Sequence, residues 1–140
     1  MTALRGEHVE RAKRLLAHEG AREGDSVQIA TAACRVFDRL SAHLSPILGA
    51  AGVETLFARS ARLLEAEYVC LAAVSPLGGS TKLRECLCVL DPADAGETAE
   101  ALFGTFFALM GVFIGERLTN QVLRGAWPAI EDAAPRETKK

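Results

Sequence analysis

An uncharged stretch of fifteen residues, Ala101–Gly115, constrains the fold of this chain more than any other segment. It reads ALFGTFFALMGVFIG and contains a single hydroxyl side chain. As a helix it would span about 22 Å, less than the roughly 30 Å hydrocarbon core of a bilayer. Glu100 and Glu116 close the stretch on both sides. Because a helix that is apolar on every side has to be buried, the stretch predicts the central helix of a bundle and argues against a membrane span.

Three segments before this stretch carry apolar residues at helical spacing, and a shorter fourth segment is ambiguous. The three predicted helices cover Thr2–Glu19, Val27–Ser45 and Gly52–Val74. Pro46 disfavours a helical conformation at the residue before it, so we expect a break or kink there. The apolar spacing of Lys82–Leu90 fits more than one period, and we assign a short helix to it.

Capping residues mark the starts of two of the helices. Asp25 or Ser26 can cap the second helix through a side-chain oxygen. Asp91 followed by Pro92 is a strong start signal for the last helix. We expect that helix to continue to about Gly125, a length of more than thirty residues or about 50 Å. A chain of 140 residues can cover so long a helix only if the helix kinks or another subunit helps.

Together these segments predict an all-α fold, a helical bundle of four to five helices with a long, apolar C-terminal core helix. Apolar residues are 49% of the chain and charged residues 24%, as in ordinary globular proteins. We expect one helical-bundle domain over residues 1–128 and a frayed polar tail over residues 129–140. The net charge is only −2, so charge favours neither nucleic acid nor a membrane as a partner.

The cysteines predict neither a metal site nor a bound cofactor. Residues 1–24 hold five basic and four acidic side chains and no apolar core, which predicts no export signal and a cytoplasmic location. The four cysteines, at positions 34, 70, 86 and 88, are therefore expected to be reduced thiols that act as small apolar side chains. Cys86 and Cys88 are two apart, whereas zinc and redox turns need a spacing of three.

The two sides of the apolar helix differ in side-chain size. Small residues fall within about 60° of one another on the helical wheel, and large side chains cover the opposite side. Glycine inside a helix costs about 1 kcal/mol relative to alanine, so this ridge indicates a packing purpose. It packs either within one subunit or at the seam of a homodimer, and the sequence leaves both open. The ridge consists of Gly104, Ala108, Gly111 and Gly115.

A possible ligand pocket lies on the side with the large side chains. Beyond Gly115 this side becomes polar, with Arg117 and Arg124. Glu67 falls on the buried stripe of the predicted third helix, and a buried carboxylate needs a partner, so we expect an ion pair with one of these arginines. That pair either fixes the fold or caps a pocket. The pocket would be lined by Phe106, Met110 and Phe113.

No catalytic motif is present in the sequence. Leu77–Lys82 lacks the lysine-then-hydroxyl ending of a phosphate-binding loop, and there is no Gly-x-Ser-x-Gly elbow. His43 lies three residues before Pro46, where a phosphotransfer helix would have to continue. We therefore expect a non-catalytic cytoplasmic module for protein interaction or regulation, assembled as a homodimer. The alternative is a sensor or carrier that binds a small apolar ligand between its helices.

Overall fold

The chain folds as a bundle of helices. The computed structural model describes residues 2–21, 25–73 and 79–128, and these residues contain five α-helices and no strand. A π-helical turn, Ala17–Ala21, extends the first helix, and a 3-10 turn, Val69–Ala73, precedes the third. The all-α prediction is therefore confirmed. The helices are α1 (Thr2–Leu16), α2 (Ser26–Leu64), α3 (Gly79–Cys88), α4 (Pro92–Ile114) and α5 (Glu116–Ala126).

The predicted helix starts are present at both capping sites. The Asp25 side chain accepts a 2.9 Å hydrogen bond from the Gln28 amide, and the Gln28 side chain accepts one of 3.2 Å from the Asp25 amide. This reciprocal capping box supplies partners for amides that a helix start leaves unpaired. α4 begins at Pro92 after Asp91, whose backbone carbonyl, and not its side chain, accepts the bond from the Ala95 amide.

α2 differs from the prediction in its kink and in its end. Pro46 lies inside the helix, and the break falls three residues later at Gly49, where φ is +81°. Only glycine adopts this conformation without strain, so the kink moves to the nearest residue that lacks a Cβ. The helix expected to continue to Val74 ends at Leu64, whose carbonyl accepts bonds from the amides of Glu67 and Tyr68 in a turn.

The last helix is also shorter than predicted, because Gly115 interrupts it. Gly115 has φ +89° and ψ +153°. This non-helical conformation ends α4 at Ile114 and separates it from α5. A single helix of more than thirty residues is therefore not formed. The segment predicted ambiguously over Lys82–Leu90 is helical as far as Cys88.

The core is built around α4, which packs against α1 and α2. Aromatic rings join α4 to α2: the Phe57 centroid lies 6.1 Å from that of Phe103 and 5.9 Å from that of Phe106. The ring centroids of Phe37 and Phe57 lie 4.4 Å apart, with the ring planes tilted by 51°. Truncating one such ring to alanine typically costs about 3–5 kcal/mol. The predicted role of the apolar stretch as a core helix is therefore confirmed over its first ten residues, most of which are buried.

α4 also has the composition of a membrane-spanning helix. Among the described residues it is the single helix that is long and apolar enough to cross a bilayer, and half of its most apolar window is buried inside the fold. A core helix passes the same test of length and composition.

Two of the cysteines are paired, contrary to the expectation of reduced thiols. Cys70 and Cys86 form a disulfide between the 3-10 turn and α3, with their Cα atoms 5.5 Å apart. The 3-10 turn packs against α3, which brings the two residues within bonding range although they are sixteen apart in sequence. Cys34 and Cys88 remain thiols. Burial raises the pKa of the Cys34 thiol, Asp38 raises it further and Arg84 opposes the shift.

Candidate functional site

The structure separates the three side chains of the predicted ligand pocket. Phe106 and Met110 are fully buried in the core, whereas Phe113 is 59% exposed. All three lie on nearly the same side of α4, but Phe113 comes one turn after Met110, in a turn that the rest of the described bundle leaves uncovered. Within the described part of the chain, these three residues therefore do not line a common pocket.

Glu67 is not the buried carboxylate that the helical pattern predicts. α2 ends at Leu64, so Glu67 lies in an exposed turn where helical spacing no longer applies. It lines a groove together with Glu97 of α4, whereas Arg117 lies beyond the far end of that helix. From Glu97 to Ile114 is about 25 Å at 1.5 Å per residue. The structure therefore does not bring Glu67 together with Arg117 or with Arg124, both of which are exposed on α5.

At least part of the ridge of small residues packs against another helix of the same chain. A Cβ at Gly104 would lie 2.8 Å from the Val9 Cγ2 atom and 3.2 Å from the Val9 Cα atom, so α1 crosses α4 at close contact there. Ala108 and Gly111 are half-buried, and Gly115 is exposed and ends the helix. Gly104 therefore fits the within-subunit alternative, and Gly115 serves as a break.

The last turns of α4 present an apolar surface to solvent. Val112 is 76% exposed and Phe113 is 59% exposed, while Leu109 and Ile114 are half-buried. We call these four residues the apolar end of α4. A large apolar side chain in solvent is common when it stands alone, but contiguous ones mark interaction surfaces. In the sequence, this surface is indicated by an apolar run that is longer than the rest of the bundle can cover. The helical spacing of the run does not show which of its turns is exposed to solvent.

A second cluster, which the sequence interpretation missed, surrounds Glu19. This carboxylate is 9% exposed and accepts a 2.9 Å hydrogen bond from the Trp127 indole nitrogen. The Arg39 Nε atom lies 3.6 Å from the same oxygen, and its guanidinium carbon lies 5.7 Å from the centre of the Trp127 ring. Arg39 also donates to the Ala126 carbonyl at 3.1 Å, and Arg35 donates to the Glu19 carbonyl at 3.1 Å.

These contacts make the Glu19 cluster a structural clasp. An open cavity of about 460 Å³ lies beside it, lined by Glu19, Arg35, Asp38 and Arg39. The carboxylate of Glu19 is used by Trp127 and Arg39, so the cluster joins the end of α5 to the π-helical turn. Trp127, which is 1% exposed, therefore anchors the end of the last helix against the bundle.

A third feature is a groove between the turn after α2 and the first turns of α4. Its volume is about 350 Å³. We call it the acidic groove, because three of its lining residues carry carboxylates and none is basic. The Tyr68 hydroxyl donates a 3.0 Å hydrogen bond to the Glu97 carboxylate across it. Within the described ranges, no group of three or more acidic, cysteine or histidine side chains is placed to hold a metal ion. The lining residues are Glu67, Tyr68, Val69, Cys70, Leu90, Asp94, Glu97 and Thr98.

Comparison with known proteins adds no family to this description. No protein-family model matches the chain, and neither the curated proteins nor the solved structures compared with it gave a significant match.

Proposed function

We propose that the chain is a non-catalytic interaction module that assembles as a homodimer through the apolar end of α4. The observation that carries this proposal is the exposure of Val112 and Phe113 at the end of a helix whose preceding turns are buried. Burying such side chains removes apolar surface from water, which is the main favourable term in protein association.

A second copy of the chain fits this surface better than a charged partner. Thr105, Leu109 and Val112 follow one another along the outer side of α4, and none of them is charged. At its rim, the exposed Glu116 and Arg117 are neighbours of opposite charge. A two-fold axis brings the same patch of both copies together, so each Glu116 can meet the Arg117 of the other copy.

The size of the surface favours a weak, reversible dimer. Val112 and Phe113 leave on the order of 200 Å² of apolar surface in solvent. Two copies would then bury about 400 Å², worth roughly 10 kcal/mol at 25 cal/mol per Å². The loss of translational and rotational freedom costs about 4–15 kcal/mol. Because the free energy gained by apolar burial and the free energy lost with this freedom are of similar size, the dimer should dissociate on dilution.

The described cavities favour interaction over the carriage of an apolar ligand. Phe106 and Met110 are packed into the core with no exposed surface. Neither the cavity beside Glu19 nor the acidic groove is lined by these side chains. The Glu19 carboxylate is already bound by Trp127 and Arg39.

Light scattering across a concentration series tests the proposal. The measured mass of the native chain should rise from 14.9 kDa at low concentration towards twice that value. Val112→Lys should remain monomeric throughout. Val89→Lys is the matched control, because Val89 is 77% exposed and lies in the turn after α3, away from the apolar end. A native chain that stays monomeric up to millimolar concentration, or equal behaviour of the two variants, would overturn the proposal.

A further inference from the structure

Among the residues that the structure describes, the acidic groove is lined by one buried hydroxyl group that has no hydrogen-bond partner. The side chain of Thr98 is 3% exposed and lines the groove. A threonine inside a helix commonly donates to the carbonyl four residues earlier. Thr31 does so to Val27 and Thr119 to Gly115, each at 2.9 Å. Among the described residues, the Thr98 hydroxyl makes no such bond.

A buried hydroxyl without a hydrogen-bond partner lowers the stability of a fold by about 1–3 kcal/mol. Its presence in the wall of a groove therefore points to a ligand group that forms the missing hydrogen bond. Acidic residues near a helix start are ordinarily explained by the helix dipole, and this accounts for Asp94 in the first turn of α4. It does not account for the buried Thr98 hydroxyl, which lines the same groove.

We propose that the acidic groove binds a primary ammonium group carried on a short apolar chain. The carboxylates of Glu67, Asp94 and Glu97 supply negative charge from both sides of the groove. An ammonium group has three N–H donors, and the Thr98 hydroxyl can accept one while the carboxylates accept the others.

The remaining walls fit the carbon chain of such a ligand. Val69, Cys70 and Leu90 line the groove beside the carboxylates. The volume of about 350 Å³ lies at the lower end of the range for small-molecule sites. The bond from the Tyr68 hydroxyl holds the Glu97 carboxylate in place and leaves its other oxygen able to accept.

Titration of the full chain with butylammonium, followed by amide chemical shifts, tests this site. We expect saturable shifts in residues 67–70 and 90–98. Tetramethylammonium has the same charge without N–H donors, and butanol has the same chain without charge, so both should bind at least tenfold more weakly. The absence of saturable shifts in these residues, or equal binding of the three compounds, would overturn the proposal.

Thr98→Val separates binding from folding. The variant keeps the shape of the side chain and removes the hydroxyl, so butylammonium should bind about tenfold more weakly while the melting temperature stays the same or rises. Thr119→Val is the matched control, because Thr119 is 2% exposed and its hydroxyl has a partner. That variant should melt lower and bind butylammonium as the native chain does. Unchanged binding in Thr98→Val would contradict the proposal.

A free amine and the lysine side chain of a peptide carry the same ammonium group. Titration with an acetylated and amidated Gly-Lys-Gly peptide distinguishes them. Tighter binding of the peptide than of butylammonium would identify a lysine-bearing partner as the source, and tighter binding of butylammonium would identify a small amine.

Discussion

The indole nitrogen of Trp127 donates a 2.9 Å hydrogen bond to the carboxylate of Glu19, joining two side chains that lie 108 residues apart in sequence. Both are buried, with Trp127 1% exposed and Glu19 9% exposed. Because a buried N–H group without an acceptor is costly, this bond ties the end of α5 to the turn that follows α1.

We expect Glu19→Leu to lower the free energy of unfolding by about 2–3 kcal/mol, because the indole N–H loses its acceptor and Arg39 loses its buried partner. Glu19→Gln keeps an acceptor oxygen and should cost about 1 kcal/mol less. Urea denaturation of both variants, combined with Trp127→Phe in a double-mutant cycle, measures the coupling. Additive effects of Glu19→Leu and Trp127→Phe on the free energy of unfolding would contradict a stabilising interaction between the two side chains.

We expect Gly104→Ala to destabilise the fold by about 1–3 kcal/mol, despite the better helix propensity of alanine. The new methyl group would lie 2.8 Å from Val9 Cγ2 and force α1 away. Gly96→Ala is the control in the same helix, since a Cβ there meets nothing within 4 Å, and it should stabilise by up to about 1 kcal/mol. Thermal melts of the two variants should therefore shift in opposite directions.

Loss of the Cys70–Cys86 disulfide should lower the free energy of unfolding by about 2–4 kcal/mol, as expected for a closed loop of about 15 residues. Cys70→Ser and Cys86→Ser should each have this effect, and a dithiol reductant should add nothing to either. Cys34→Ser and Cys88→Ser are the controls, because these two residues remain thiols in the structure. Thiol titration of the unfolded, unreduced chain should find two reactive groups, and four would show that the bond is absent.

Glu100 should make stability fall as the pH rises. Burial raises the pKa of this carboxyl above its ordinary value of 4.5, with Lys13 lowering it and Glu10 and Glu97 raising it further. Above pH 4.5 the folded chain therefore holds more protons at this site than the unfolded chain, so stability decreases until the folded-state pKa is passed.

Glu100→Gln removes this effect, so its melting temperature should exceed that of the native chain by more at pH 7 than at pH 4. Glu54→Gln, at an exposed position of α2, is the control for removing one negative charge. A melting-temperature difference for Glu100→Gln that is the same at both pH values would contradict the expectation.

The parts of the fold that depend on neighbouring residues were predictable from sequence. Asp25 caps its helix through Gln28, three residues away, and Pro92 begins α4 next to Asp91. Over most of Ala101–Gly115, uninterrupted apolarity correctly indicated a core helix, although its last turns are exposed. These signals act within one or two helical turns, so a single sequence contains them.

The site depends on contacts between distant segments, and there periodicity was a poor guide. Glu67 was placed on a buried stripe because helical spacing was extended past Leu64, where the structure has a turn. The pairing of Cys70 with Cys86 depends on how α3 packs, which no local pattern encodes. The role of Glu19 became visible only with Trp127 beside it.

The crossing of α1 over Gly104 also has a consequence for biosynthesis. Val9 reaches its packing partner only across 95 residues of sequence, and the ring of Phe57 likewise gains its contact with Phe103 only when α4 has been made. A chain made from its N-terminus at about 5–20 residues per second would therefore hold α1 and α2 without their core for several seconds. During that interval their apolar faces are open to other nascent chains and to chaperones, so α4 is the segment whose arrival from the ribosome allows the bundle to close.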